Sequence, residues 1–147
     1  MKKRCFGEPN EKQKLFLLDH RRHVAYGGAR GGGKSWAVRT KAKLLALHFA
    51  GIKILIVRRA MPELRNNHIE PLKKELAGIA KYNTTDKTFR FPNGSTITFG
   101  YCDNAGDLGQ YQGAEYDVLF IDEAGQLQKE WIDQINACVR GTNPFPK

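Results

Sequence analysis

Residues 27–36 read GGARGGGKSW, five glycines immediately ahead of a lysine and a serine. Glycine has no Cβ, packs nothing and loses more conformational freedom on folding than any other residue. A run this dense therefore needs a compensating use. Residues 28–35 satisfy G-x-x-x-x-G-K-[ST], the spacing at which successive backbone N–H groups turn inward around phosphate oxygens. That mechanism requires a strand before the loop and a helix after it. Residues 24–26 (Val-Ala-Tyr) read as a short apolar strand, and residues 34–50 are mostly good helix formers with Gly51 as a stop. The helix N-terminus brings its positive dipole end to the phosphate. In this reading Gly28, Ala29, Arg30, Gly31, Gly32 and Gly33 form the cradle for the phosphate oxygens. Lys34 reaches the β- and γ-phosphates, and the Ser35 hydroxyl ligates Mg²⁺.

A second motif lies far downstream. Residues 117–123 read DVLFIDE, an apolar strand that delivers Asp122 and Glu123 at its carboxyl end, where ligands sit in open α/β sheets. Asp122 is placed to hold the Mg²⁺ shell. Glu123, one residue on, is placed to orient or deprotonate the attacking water. Several elements punctuate the rest of the chain. Residues 10–20 form a short helix capped by Asn10, and residues 52–57 are a β-branched inner strand. Pro62 opens a helical stretch that Pro71 breaks or kinks. Residues 88–91 and 95–101 form a hairpin about Asn93-Gly94, residues 103–116 a polar loop, and residues 127–140 a helix. The alternation predicts an α/β fold with a mainly parallel sheet flanked by helices and a β-hairpin insertion around residues 88–101.

Composition narrows the class. A chain of 147 residues suits one domain with a core of its own. Its longest apolar runs are strand-sized, which argues against a membrane protein, and the basic start is not followed by the apolar stretch of a signal peptide. Cys5, Cys102 and Cys138 are odd in number and show no CxxC pair, which fits thiols in a reducing cytoplasm better than a disulfide framework or zinc site. The net charge is +9, and residues 1–43 carry all of it, with twelve Lys and Arg against three Asp and Glu. Such a basic front attracts a polyanion or is a solvated face with no partner.

Further segments carry a resemblance. Gln13 lies in EKQKLF ahead of the first strand, while ILIVRRAMPELR (54–65) and YQGAEYDVLFIDEA (111–124) follow the glycine loop in order. With an arginine inside that loop, the chain resembles, over residues 8–147, the large terminase subunit of tailed bacteriophages. That protein is the motor that packages DNA into procapsids. The resemblance implies a P-loop ATPase of the ASCE type, hydrolysing ATP to drive double-stranded DNA. It implies Gln13 as the adenine-recognising glutamine, Lys34 and Ser35 as the Walker A pair, and Asp122 and Glu123 as the Walker B pair. Arg30 matches the arginine many of these subunits carry in the loop, for phosphate contact or transition-state stabilisation. The implied catalytic set is then Glu123, Lys34 and Arg30. The implied partners are double-stranded DNA, the small terminase subunit, the portal protein and further copies in a ring, in the cytoplasm of the bacterial host.

The chain also departs from the family. Large terminases carry a nuclease domain with a metal-binding carboxylate cluster, for which residues 1–147 have no room. The expected reading is an ATPase domain incomplete at its C-terminus, with the nuclease absent. Residues 101–121 contain no Lys or Arg, so an arginine finger just before the second motif has no candidate. Thr142-Asn143-Pro144 superficially resembles the family's coupling motif but follows a helix directly, and reads as a loop short of it. Arg58 and Arg59, at a strand's end, face nucleotide, DNA, a neighbouring subunit or only solvent. His20, His23, His48 and His68 lack metal-ligand spacing and read as structural or solvated. Two other readings stay open: another ASCE ATPase, helicase-like or replicative, and an inactive prophage remnant that binds nucleotide without turnover.

Overall fold

The computed structural model describes residue 9, residues 11–18 and residues 34–143. Its centre is the β-branched run of the sequence. Strand β1 (Lys53–Arg58) buries Ile54, Leu55, Ile56 and Val57 almost completely, as an inner strand covered on both faces does. It pairs in parallel with β4 (Thr96–Tyr101) on one side and β5 (Val118–Ile121) on the other. Strand β3 (Thr88–Arg90) runs antiparallel to β4, and β2 (Lys81–Asn83) antiparallel to β3. The sheet is thus a mixed one of five strands in the order β2-β3-β4-β1-β5. The expected hairpin is present, and its second strand is a full member of the parallel centre.

Alternate residues of β1 serve two cores. Ile54 and Ile56 join Ala37, Ala42 and Ala46 of helix α2 (Lys34–His48), with Phe89, Ile97 and Phe99 from the hairpin strands. Leu55 and Val57 point the other way, to Tyr111, Leu127, Ile135 and Cys138. There helix α5 (Lys129–Asn136) and a 3₁₀ turn (Ala105–Tyr111) cover the sheet. The result is helices on both faces of one sheet. Helix α1 (Glu11–Leu18) packs on α2.

Helix α2 ends at His48 rather than residue 50 because the hairpin caps it. Asn93 Nδ2 donates to the Ala46 carbonyl at 2.8 Å, and Ser95 Oγ to the Phe49 carbonyl at 2.8 Å. These contacts satisfy acceptors that a helix end leaves without partners. The turn that places them is residues 92–94, closed by the Phe91 N–H on the Ser95 carbonyl at 3.0 Å, with Gly94 at φ +87°.

The Pro71 disruption takes a specific form. Helix α3 (Met61–Leu64) widens into a π turn (Arg65–Ile69) before helix α4 (Glu70–Glu75). Pro71 has no N–H to offer the Asn67 carbonyl four residues back, and Arg39 Nη1 of α2 donates to that carbonyl instead. At the sheet's amino end, Asp117 accepts the N–H groups of Lys53 at 2.9 Å and Asn143 at 3.0 Å. Asn143 Nδ2 also reaches the Ala50 carbonyl at 3.0 Å, so residue 143 sits at the end of the sheet opposite Asp122. Helix α5 covers less than the expected 127–140. A 3₁₀ turn (Ala124–Gln126) precedes it, and Val139 bridges in parallel to Tyr116 beyond it.

Candidate nucleotide site

The carboxyl ends of β1 and β5 and the N-terminus of α2 meet around one carboxylate. Asp122 follows β5 directly, and its N–H bonds the Val57 carbonyl at 2.9 Å, continuing the ladder past the strand. The side chain is 5% exposed. Three donors converge on its Oδ2: Ser35 Oγ at 2.8 Å, His68 Nε2 at 2.8 Å and Arg58 Nη1 at 3.1 Å. Ser35 and Asp122 are 87 residues apart, so the fold brings the two predicted motifs into hydrogen-bond contact.

Burial pushes the Asp122 carboxyl up. The bond and charge of His68, the Ser35 hydroxyl and the Arg58 guanidinium outweigh burial and hold it down at about 2. It is ionised at neutral pH. His68 is itself held below its ordinary value, because burial outweighs its bond to Asp122. Its other ring nitrogen, Nδ1, has no partner among the described residues.

Arginines 58 and 59 part company. Arg58 turns inward, bonding Asp122 and, through Nε, Glu63 at 3.1 Å. Arg59 turns outward to Asp103 at 2.9 Å, with both side chains more than half exposed. Behind the site the polar face of α2 continues. Lys43 is fully buried and pairs with Glu75, which also lies 3.5 Å from Arg39 Nε. Burial pulls the pKa values of Lys43 and Arg39 down, and Glu75 works against it in both.

Glu123 lies next to Asp122, half-buried, with its backbone in the left-handed region at φ +58°, ψ +47°. A non-glycine residue there is strained by roughly 1–2 kcal/mol, and such strain clusters at functional sites. Gln13 is buried on α1 at 7% exposure. Lys34 opens α2. Gly28, Ala29, Arg30, Gly31, Gly32 and Gly33 lie outside the described residues. Of the predicted residues, Ser35 and Asp122 are in direct contact.

His68, expected to be structural or solvated, bonds Asp122, and no sequence pattern marks that contact or separates the inward Arg58 from the outward Arg59. Pro71 marked a broken helical bond but not the side chain that the break would turn inward.

Among the described residues, no group of three or more His, Cys, Asp and Glu is arranged to hold a metal, and no helix is long and apolar enough to cross a membrane. A nucleotide-bound Mg²⁺ needs no such cluster, since it takes one or two protein ligands, phosphate oxygens and waters. A serine hydroxyl 2.8 Å from an ionised carboxylate fits that donor set.

The family model described as the N-terminal part of the T4likevirus-type terminase large subunit matches residues 25–134. No curated protein matches the chain. Among solved structures, the large terminase of a thermophilic bacteriophage superposes with a TM-score of 0.73 at 19% identity, over 91% of this chain and 37% of that one. The same protein in complex with ADP gives 0.69 at 21% identity, over 89% of this chain and 36% of that one. The bacteriophage HK97 large terminase gives 0.69 at 18% identity, over 94% and 32%. The chain therefore spans about a third of the length of these structures.

Proposed function

The chain belongs to the T4likevirus-type family of terminase large subunits, and from that premise we propose that it is the ATPase motor domain of a phage packaging terminase. On this reading it hydrolyses ATP to move double-stranded DNA into a procapsid. The observation that carries the proposal is the 2.8 Å bond from Ser35 Oγ to Asp122 Oδ2. It joins the helix after the glycine loop to the carboxylate after the second motif's strand. The complex of the thermophilic phage's terminase with ADP supports nucleotide binding as the site's use.

Each residue then has a role. The backbone N–H groups of residues 28–33, with the positive end of α2, bind the β-phosphate. Lys34 neutralises charge on the β- and γ-phosphates, and Arg30 adds to it. Ser35 and Asp122 hold Mg²⁺, which when bound spreads the negative charge of the phosphate oxygens. Glu123 accepts the proton of the attacking water, from a backbone position that the strained left-handed turn fixes. Gln13, on the helix packed against α2, contacts adenine. Residues 1–147 would supply the ATPase unit and leave nuclease chemistry to another part of the machine. DNA, a small terminase subunit, a portal and neighbouring copies in a ring would be its partners, in the cytoplasm of the host bacterium.

Calorimetry with ADP and Mg²⁺ tests the reading. Binding is expected in the native chain and in Glu123→Gln, and its loss in Lys34→Ala. Equal affinity in Lys34→Ala, or no binding by the native chain, overturns it. Phosphate release with and without DNA then separates a motor from a remnant that binds without turnover.

A further inference from the structure

We propose that His68 is a positioning residue for the nucleotide-bound metal: from inside the π turn it fixes the carboxylate of Asp122. The inference rests on the reading of Ser35 and Asp122 as the Mg²⁺ residues.

Three hydrogen bonds reach Asp122, from α2, from the end of β1 and from the π turn, and all three fall on Oδ2. Oδ1 takes none from the described residues. A carboxylate gripped by one oxygen cannot swing about its Cβ–Cγ bond, so the other oxygen keeps one direction. Ser35 and Arg58 do not fix that direction alone. The Ser35 hydroxyl is itself a metal ligand on this reading, and Arg58 is shared with Glu63. His68 is the one donor of the three committed to Asp122 by a rigid ring.

A histidine kept only for packing would be a poor choice at this position. It is fully buried, and its Nδ1 has no partner among the described residues. An unsatisfied buried polar atom costs about 1–3 kcal/mol, which an apolar side chain of similar volume would avoid. The offsetting feature is the Nε2 bond to Asp122.

The π turn supplies the aim. Each residue advances a helix by about 100°, so one extra residue in a turn rotates the next turn of helix by that much. Here it puts His68 under Asp122 while Ile69 and Leu72 stay in the apolar core. Arg39, one helical turn after Ser35 on α2, braces the same π turn through the Asn67 carbonyl. The helix after the phosphate loop therefore touches both the carboxylate and the turn that orients it.

The test measures ATPγS affinity with Mg²⁺ and with EDTA in the native chain, His68→Met and His68→Gln. Methionine fills the volume and donates nothing, whereas glutamine offers an amide N–H from near the Nε2 position. Loss of such a metal-orienting partner weakens metal affinity by about 10–100-fold. His68→Met is expected to lose at least about ten-fold of the Mg²⁺-dependent gain with its EDTA affinity unchanged, and His68→Gln to keep most of that gain. An undiminished gain in His68→Met overturns the role. So does an equal fall with and without Mg²⁺, which marks general damage to the pocket. A measurement on the native chain needs no variant to fold. The ¹⁵N spectrum of His68 is expected to show the Nε2–H form and to shift with Mg²⁺–ATPγS more than with ATPγS in EDTA. A resonance indifferent to the metal overturns the role. Absence of any Mg²⁺-dependent gain in the native chain overturns the metal-site reading itself.

Discussion

Asp122 and Glu123 are neighbours with opposite problems. Asp122 is over-supplied with donors, and Glu123 is held where its backbone does not want to be. The Asp122 carboxyl sits at about 2, below the ordinary value near 3.9. A carboxylate with a depressed native pKa contributes stability that is fully present above its unfolded value. That stability is lost as pH falls through the native value. Asp122→Asn is therefore expected to lower unfolding free energy at neutral pH by roughly 2–3 kcal/mol. The difference from the native chain should shrink between about pH 4 and pH 2. Parallel denaturation curves at every pH would show that the carboxylate is not held down. Glu123→Gly is expected to act the other way. It relieves the left-handed strain and raises stability by up to about 1 kcal/mol. On the proposed mechanism it also removes the group that takes the water's proton, a loss of about 10²–10⁴ in turnover. A thermal melt alongside phosphate release checks both, and a fall in stability would mean Glu123 makes contacts that outweigh its strain.

At the scale of elements, strength of pattern decided what the sequence disclosed. The β-branched run 52–57 and the apolar run before Asp122 have no competing reading, and both are strands within a residue of their expected ends. The glycine loop implied a helix after it, and α2 begins at Lys34. Strand β2 was not legible. Lys-Tyr-Asn carries no pattern of its own, and the strand exists because Tyr82 packs on Phe89 at a centroid distance of 4.7 Å. Helix α5 was expected too long because nothing in residues 137–140 forbids a helix. The competing pull is tertiary, a bridge from Val139 to Tyr116 at the start of β5. The site divides in the same way. Ser35 and Asp122 were legible because their chemistry imposes spacing, whereas His68 depends on a π turn that Pro71 permits but does not specify. The α2–α4 contact offers a test of what holds that turn in place. Lys43 is fully buried, and Glu75 is its anionic partner. Glu75→Leu removes the carboxylate that this buried ammonium bonds and is expected to lower stability by about 3–5 kcal/mol. Lys43→Met combined with Glu75→Leu is expected to recover most of that loss, because an apolar pair of similar volume needs no desolvation of charge. A double variant as unstable as Glu75→Leu would show that Arg39, left without Glu75, is the residue that needed it.

For the whole molecule, charge is distributed unevenly along the sequence. Residues 44–147 are balanced, and the full excess of nine lies in residues 1–43. Part of that excess, Arg30 and Lys34, is committed to nucleotide phosphate on the proposed reading. The remainder near the start, including Lys2, Lys3, Arg4, Lys12 and Lys14, has no acidic residues nearby in number to cancel it. A polyanion bound mainly by such a segment is held by counterion release. Its affinity then falls linearly in log–log form with salt, by about 0.9 per phosphate neutralised on duplex DNA. DNA binding by this chain is accordingly expected to be weak, indifferent to sequence and steeply salt-dependent. Replacing Lys2, Lys3 and Arg4 together by alanine is expected to flatten the slope by up to about 3 units, the most that three lost phosphate contacts allow. ATP with Mg²⁺ is expected to weaken binding modestly through the two shared cations. Fluorescence anisotropy on two unrelated duplexes, at salt between about 50 and 200 mM, reads all three effects. A slope near zero would place the DNA contact on uncharged surface. An unchanged slope in the triple variant would move the contact from Lys2, Lys3 and Arg4 to the other cations of the chain.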